Sequence, residues 1–338
     1  ASPPRSRPVL ALGALVLVAA AGFAIWRIAA ARNTGAPLTI SVTETAIVAT
    51  DDDGERWRHA FTPGERTILI PGRSADRLDD GGALAATAYT DGPAGNTLRG
   101  GELLRFSANG RVEARFTFTD RVQFGGAPYG PPWGISDYRA HGAGAARRVA
   151  VVAHHLEWWP SVLTILDSEW RRRGSFVNAG WIERLHWVSP DRLMIAGFPN
   201  AFDGGMVGIL DAAAIDGQSP GDDPTYTCVS CGPGGPLRYI ILPRSEVNRV
   251  TASPFNRVIL VVKPETVLAR TVEVPAIAQA ADALYEFTPS LDLIRASYSD
   301  RYWELHRELE FQGKISHSRD RCPDRNGPRH IRVWEPES

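Results

Sequence analysis

The stretch from Arg147 to Phe198 constrains the fold more than any other part of the chain. Its apolar residues fall in short runs, Val149–Ala153, Val162–Leu166, Trp181–Val188 and Leu193–Ala196, each bounded by turn residues. Each run has the length of a strand and is rich in Val, Ile, Leu and Trp. Four such runs in about fifty residues read as one antiparallel sheet of blade size. Elsewhere helical periodicity is scarce, and 32 Gly with 25 Pro supply many turns. The expected fold class is therefore all-β, an irregular β-propeller of about six or seven blades.

Strand–turn–strand units recur along the chain. Leu103–Phe106 leads through Ala108-Asn109-Gly110 into Val112–Phe118, and Leu163–Leu166 through Asp167-Ser168-Glu169 into Trp170–Val177. Val258–Val262 leads through Lys263-Pro264-Glu265 into Thr266–Val272, and Leu284–Phe287 through Pro289-Ser290-Leu291 into Asp292–Tyr298. Ile209-Leu210-Asp211 opens a less regular unit. Most units stand roughly 45–60 residues apart, a spacing that suits propeller blades. Asp300–Phe311 breaks the pattern. Tyr302, Leu305 and Leu309 lie at helical spacing and Gly313 follows as a stop, so a short C-terminal helix is expected there. His330–Trp334 reads as a last strand, placed to close the ring on the first blade.

The N-terminal region reads differently. Val9 to Trp26 is an unbroken apolar run. As a helix of about eighteen residues it spans roughly 27 Å, close to the hydrocarbon thickness of a bilayer. The expected organisation is a tail or linker over 1–8, a transmembrane helix over 9–30, a linker over 31–37 and the β domain over 38–335. Cleavage at Ala29-Ala30-Ala31, as in a secretory signal, is the alternative. Arginines balance across the span, so the domain is placed outside the cytoplasm only by the default of a short N-terminal tail inside. The linker-like start ASPPRSRP also suits the C-terminal part of a transmembrane signalling protein. A net charge of −1 argues against a nucleic-acid binder, which needs a basic face.

The motif Asp51–Arg58, D-x-x-G-x-x-W-R, resembles the bacterial quinoprotein-like (PQQ-like repeat) propellers. Arg148–Phe198 carries His154-His155, the step Trp159-Pro160-Ser161 and Leu166-Asp167 at a strand end. That run resembles membrane-anchored bacterial proteins with FG-GAP or VCBS-type propeller repeats. The resemblance covers residues 38–335 and implies an extracytoplasmic propeller behind a membrane anchor. The family's calcium loops carry spaced acidic residues, whereas Ser189-Pro190-Asp191-Arg192 offers one carboxylate, so calcium is not carried over. A quinone site is not carried over either.

The candidate ligand-binding residues are His154, His155, Trp158, Asn200, Asp203 and Arg244. Adjacent residues on a strand point to opposite faces, so His154 and His155 cannot easily share one metal. One faces the core, and the other faces a rim where Trp158 offers a stacking surface. Cys228-Val229-Ser230-Cys231 is a CxxC pair, and Cys322 is the third cysteine. A disulfide, a zinc site completed by histidine, and buried thiols all stand as readings. Asp51-Asp52-Asp53 with Glu55 reads as a solvated turn, because Arg56 stands where a calcium loop needs Gly. Hydrolase, metalloprotease and nucleotide-binding signatures are missing. The function expected is a sensor or a module that binds a protein or small molecule, without a cofactor. The alternative is a periplasmic hydrolase or oxidoreductase with its site at the propeller mouth.

Overall fold

The computed structural model describes residues 39–43, 45–67, 75–91, 97–155, 160–251, 257–274, 281–328 and 330–335. The expected membrane helix, its flanking linkers, Trp158 and Trp159 lie outside the described residues. Among the described residues no helix is long and apolar enough to cross a membrane.

Strands dominate, as the short apolar runs require. Sheet I holds β1 (Thr39–Val42), β2 (Ala46–Asp51) and β3 (Gly54–Ala60). Sheet II holds β4 (Glu65–Thr67), β5 (Asp76–Arg77), β6 (Ala83–Asp91), β7 (Thr97–Phe106) and β8 (Val112–Phe116). A two-stranded ribbon follows, β9 (Val122–Phe124) with β10 (Ala127–Tyr129). Sheet III is β11 (Trp133–His141), β12 (Arg148–His155), β13 (Ser161–Leu166) and β14 (Arg172–Asn178). Sheet IV starts with β15 (Gly180–Ser189), β16 (Arg192–Pro199), β17 (Gly204–Asp211) and β18 (Arg238–Pro243), and a short helix α1 (Glu246–Val250) follows it. Sheet V is β19 (Arg257–Val262), β20 (Val267–Val272), β21 (Asp282–Phe287) and β22 (Leu293–Tyr298). Helix α2 (Asp300–Phe311) comes next, capped by Ser299, whose hydroxyl accepts from the Tyr302 amide. Then β23 (Arg332–Trp334) ends the fold.

Period-two alternation explains why the sheets stack. On β12, Val149, Val151 and Ala153 pack toward sheet II, while Ala150 and Val152 pack toward sheet IV. On β16, Leu193 and Ile195 face sheet III, and Met194 and Ala196 face sheet V. Strands with both faces buried read as continuous apolar runs rather than as polar–apolar alternation. Four core clusters result, joining I to II, II to III, III to IV and IV to V. Antiparallel meanders packed face to face in chain order are the blade arrangement of a β-propeller.

The hairpin repeat is real in its turns. Gly110 donates its amide to Ser107 O, Trp170 to Asp167 O and Leu291 to Thr288 O, at 2.9 Å in all three. Each of these residues has a positive φ, 76° at Gly110 and 66° at Trp170 and Leu291. All three hairpins shift register beside the turn, as a type I turn with a bulge requires. They join the last two strands of sheets II, III and V.

Three expectations are corrected. Five large sheets stand among the described residues, not six or seven, because a four-stranded sheet holds two hairpins. The hairpins starting at Val258 and Leu284 both belong to sheet V. Second, Arg147–Phe198 is not one blade. Its first two apolar runs are β12 and β13 of sheet III, and its last two open sheet IV. Third, β23 does not close a ring on sheet I. It pairs antiparallel with β18, in the register Tyr239↔Trp334 and Ile241↔Arg332. The Trp334 ring lies 4.6 Å from Phe202 and 6.4 Å from Tyr239, so aromatic packing holds the strand to sheet IV.

Candidate functional site

The CxxC pair is a disulfide, Cys228–Cys231. Its sulfurs are bonded to each other and are not available as zinc thiolates. Cys228 bridges to Phe124 in the ribbon, and the Val229 amide donates to Gln123 O at 2.9 Å. The bond therefore shapes a loop that fastens the ribbon between sheets II and III. Cys322 stands apart as a buried free thiol.

The paired histidines at the end of β12 point to opposite faces. The His154 ring lies 5.1 Å from Trp181, and its Nδ1 is 2.8 Å from the His155 carbonyl oxygen. Burial holds the His154 imidazole below its usual pKa, against the hydrogen bond to the His155 backbone, which raises it. The His155 ring stands edge-on to Tyr129 at 5.3 Å and to Trp133 at 5.7 Å. Both rings sit in aromatic neighbourhoods, as satisfied packing histidines do.

Asp203 and Arg244 do come together, at the end of sheet IV. Arg244 Nη1 donates to Asp203 Oδ1 at 3.1 Å, and Arg249 on α1 reaches Asp203 Oδ2 at 3.2 Å. Arg244 also donates to Asn248. Asn200 is exposed, and its amide donates to Ala179 O. The structure thus separates the sequence candidates into two aromatic niches on sheet III and one ion-pair cluster on sheet IV.

That ion-pair cluster borders a cleft of about 640 Å³ between α1, β22 and the segment after α2. Arg244, Glu246, His317, Cys322, Asp324 and His330 line it. At its floor four potential ligands converge: a Glu246 oxygen, a nitrogen each of His306 and His317, and Cys322 Sγ. All four atoms lie within 4.8 Å of one another. Each comes from a different segment. Glu246 opens α1, where the Ser245 hydroxyl accepts from the Asn248 amide. His306 lies on the buried face of α2 beside Trp303, at a ring separation of 5.4 Å. His317 follows the turn at Gly313, and Cys322 closes a 3-10 turn over Arg319–Arg321.

The electrostatics of this cluster are unusual. Glu246 Oε2 is 3.2 Å from His317 Nε2 and 3.9 Å from His306 Nε2, yet neither contact has hydrogen-bond geometry. Both ring nitrogens of the fully buried His306 lack a hydrogen-bond partner. Burial holds His306 below its ordinary pKa, so the ring is neutral, and burial pushes the Cys322 thiol up. Imidazole nitrogens, a carboxylate and the thiolate that Cys322 becomes by releasing its proton on metal binding are donors suited to a borderline cation. Sequence reading singled out Cys322 but missed Glu246, His306 and His317. The available signal was the spacing His306-x10-His317-x4-Cys322 on a helix and its following turns.

No family model matches the chain. No curated protein matches it either. Solved structures do. Kuenenia stuttgartiensis hydrazine synthase is similar at a TM-score of 0.44 and 8% identity, over 79% of this chain and 63% of that one. The β-propeller domain of the Trilobed protease from Pyrococcus furiosus matches at 0.34 and 10%, over 69% and 58%. A protein of unknown function from Bacteroides caccae matches at 0.33 and 12%, over 78% and 95%. The chain spans less than two thirds of the length of each of the first three solved structures it matches. These likenesses concern the fold, and no activity transfers at such scores. The resemblance to FG-GAP, VCBS or quinoprotein-like propellers narrows to a β-propeller scaffold without a specific family.

Proposed function

We propose that the chain is a membrane-anchored, extracytoplasmic β-propeller that acts as a protein-interaction module. The observation that carries this reading is the outer face of sheet V. Among the described residues, the other large sheets turn their apolar faces against a neighbour. The outer side of sheet I is polar, with Arg56 paired to Asp51 and Arg58 to Glu55. Sheet V instead turns Val261, Leu268 and Leu284 outward, 48%, 37% and 39% exposed, around a shallow groove of about 510 Å³ that includes Ile259. Contiguous apolar surface of this kind on a soluble domain marks an interaction site.

The rim carries both signs of charge. Arg295 pairs with Glu286 at 2.9 Å, and Arg270 with Asp282 at 3.3 Å. A flat face with an apolar centre and a mixed rim is self-complementary under a two-fold axis, which brings Glu286 of each copy toward an arginine of the other. The partner we assign is therefore a second copy of the chain. The extracytoplasmic placement draws on the apolar run Val9–Trp26 and on the Cys228–Cys231 disulfide, a bond that persists in oxidising compartments. The enzymatic alternative finds less support. His154 and His155 pack among rings on sheet III, while Asp203 and Arg244 pair with each other on sheet IV.

Sedimentation of the full chain in detergent tests this reading. A dimer in the micromolar range that Leu268→Glu and Leu284→Glu convert to monomer is the expected result. A wild-type monomer throughout that range overturns it, as does a dimer that neither substitution affects.

A further inference from the structure

We propose that Glu246, His306, His317 and Cys322 form a zinc(II) site that staples the C-terminal segment of the chain to sheets IV and V. The proposal is independent of the sheet V face and of any self-association.

Geometry comes first. Zinc binds imidazole nitrogen and carboxylate oxygen at about 2.0–2.2 Å and thiolate sulfur at about 2.3 Å. Tetrahedral ligands at those radii stand about 3.3–3.8 Å apart. Here the four atoms already lie within 4.8 Å of one another, and the two Glu246–histidine separations are 3.2 and 3.9 Å. Small side-chain rotations would bring all four onto one ion.

Polar satisfaction is the second, independent observation. His306 is fully buried, and both of its ring nitrogens lack a hydrogen-bond partner; His317 Nε2 is buried and lacks one too. Buried polar atoms are overwhelmingly paired in folded proteins. A cation at the centre of the cluster gives one nitrogen of each ring a partner. It also places a positive charge beside Glu246, where the contacts to the histidines fall short of hydrogen-bond geometry.

The donor set decides the ion. One sulfur and two imidazoles disfavour calcium and magnesium, which take oxygen ligands. Four protein donors of mixed N, O and S character suit tetrahedral zinc. With all four positions held by the protein, the site is structural, without an open position for water or substrate.

Its placement shows what the ion would do. Glu246 belongs to α1, which follows sheet IV. His306 belongs to α2, which follows sheet V. His317 and Cys322 belong to the irregular segment that leads back to β23 on sheet IV. One ion thus ties both helices and that segment together. Below the cleft the same region packs Tyr298 on Tyr302 at a ring separation of 3.8 Å, so the staple closes over an existing aromatic core. Binding of the folded form alone adds stability by mass action and makes the C-terminal segment sensitive to chelators.

The test uses the full chain, purified without chelator, then stripped and reloaded. Elemental analysis is expected to find one zinc per chain. Cobalt(II) substitution is expected to give tetrahedral d–d bands and a thiolate-to-cobalt charge-transfer band. Cys322→Ser should abolish the charge-transfer band, and His306→Gln should weaken zinc binding at least 100-fold with the far-UV circular dichroism retained. The double variant Cys228→Ser/Cys231→Ser should bind as wild type does. If His306→Gln does not fold, the alkylation rate of Cys322 in the wild-type chain decides. Protection by zinc and its loss on chelation support the site. Absence of a thiolate-to-cobalt band in the reloaded wild-type chain, or a Cys322 alkylation rate that zinc does not change, overturns it.

Discussion

Asp137 on β11 accepts the backbone amide of Leu185 on β15 through Oδ2 at 2.8 Å, so a carboxylate of one sheet caps the inner strand of the next. The same side chain takes the Tyr138 amide at 2.9 Å and the Arg139 guanidinium at 2.8 Å, and it is fully buried. Nearby, the Ser136 hydroxyl donates to Ile182 O at 2.9 Å. Both strands carry a register shift here, at Ile135/Asp137 and at Ile182/Arg184. The bulges free backbone groups that the polar side chains then satisfy across sheets III and IV.

Removing that carboxylate takes the counter-charge from the half-buried Arg139 guanidinium, which keeps its bonds to Leu185 O and Tyr138 O, and leaves two backbone amides short of a partner. Asp137→Ala is expected to destabilise the fold by about 3–5 kcal/mol. Asp137→Asn should cost less, because its carbonyl still accepts one amide. Urea unfolding followed by tryptophan fluorescence checks the order of the three proteins.

Gly180 marks the break between those sheets. Its φ is 144°, and a Cβ on it would stand 2.0 Å from the Phe198 carbonyl oxygen. Gly180→Ala is expected to cost about 3 kcal/mol. At Gly126 nothing lies within 4 Å of such a Cβ, so Gly126→Ala should be close to neutral in the same assay.

The His154 pKa is depressed in the folded chain, chiefly by burial. In the unfolded chain it returns to about 6.5. Between the two values the unfolded state binds more protons, so stability falls as pH drops below about 6.5 and levels off under the folded-state value. Urea midpoints between pH 7.5 and 5.0 should therefore decline, and the decline should be shallower in His154→Phe. An unchanged slope in that variant would assign the pH dependence elsewhere.

The disulfide closes a loop with a sequence separation of only 3. Loop-closure entropy for so short a ring amounts to about 2 kcal/mol. The double variant Cys228→Ser/Cys231→Ser is therefore expected to fold, with an unfolding free energy lower by about that amount. Hydrogen exchange should rise at Val229, whose amide holds the loop to the ribbon.

What the sequence determined by itself was local. Strand-length apolar runs marked β12, β13, β15 and β16, the turns at Gly110, Glu169 and Ser290 marked hairpins, and helical spacing with Gly313 marked α2. Strand alternation also separated His154 from His155, because neighbouring side chains on a strand diverge whatever the fold. Tertiary structure decided the rest. β14 and β15 fall in different sheets on either side of Gly180, whose positive φ and close approach to Phe198 O no periodicity encodes. Whether β23 joins sheet I or sheet IV depends on where Trp334 finds Phe202 and Tyr239. The convergence of Glu246, His306, His317 and Cys322 spans two helices and two turns. Their side chains meet only because sheets IV and V stack and fold α1 against α2. Sequence spacing reports which way a side chain points along its own element, whereas packing between distant elements decides what it meets.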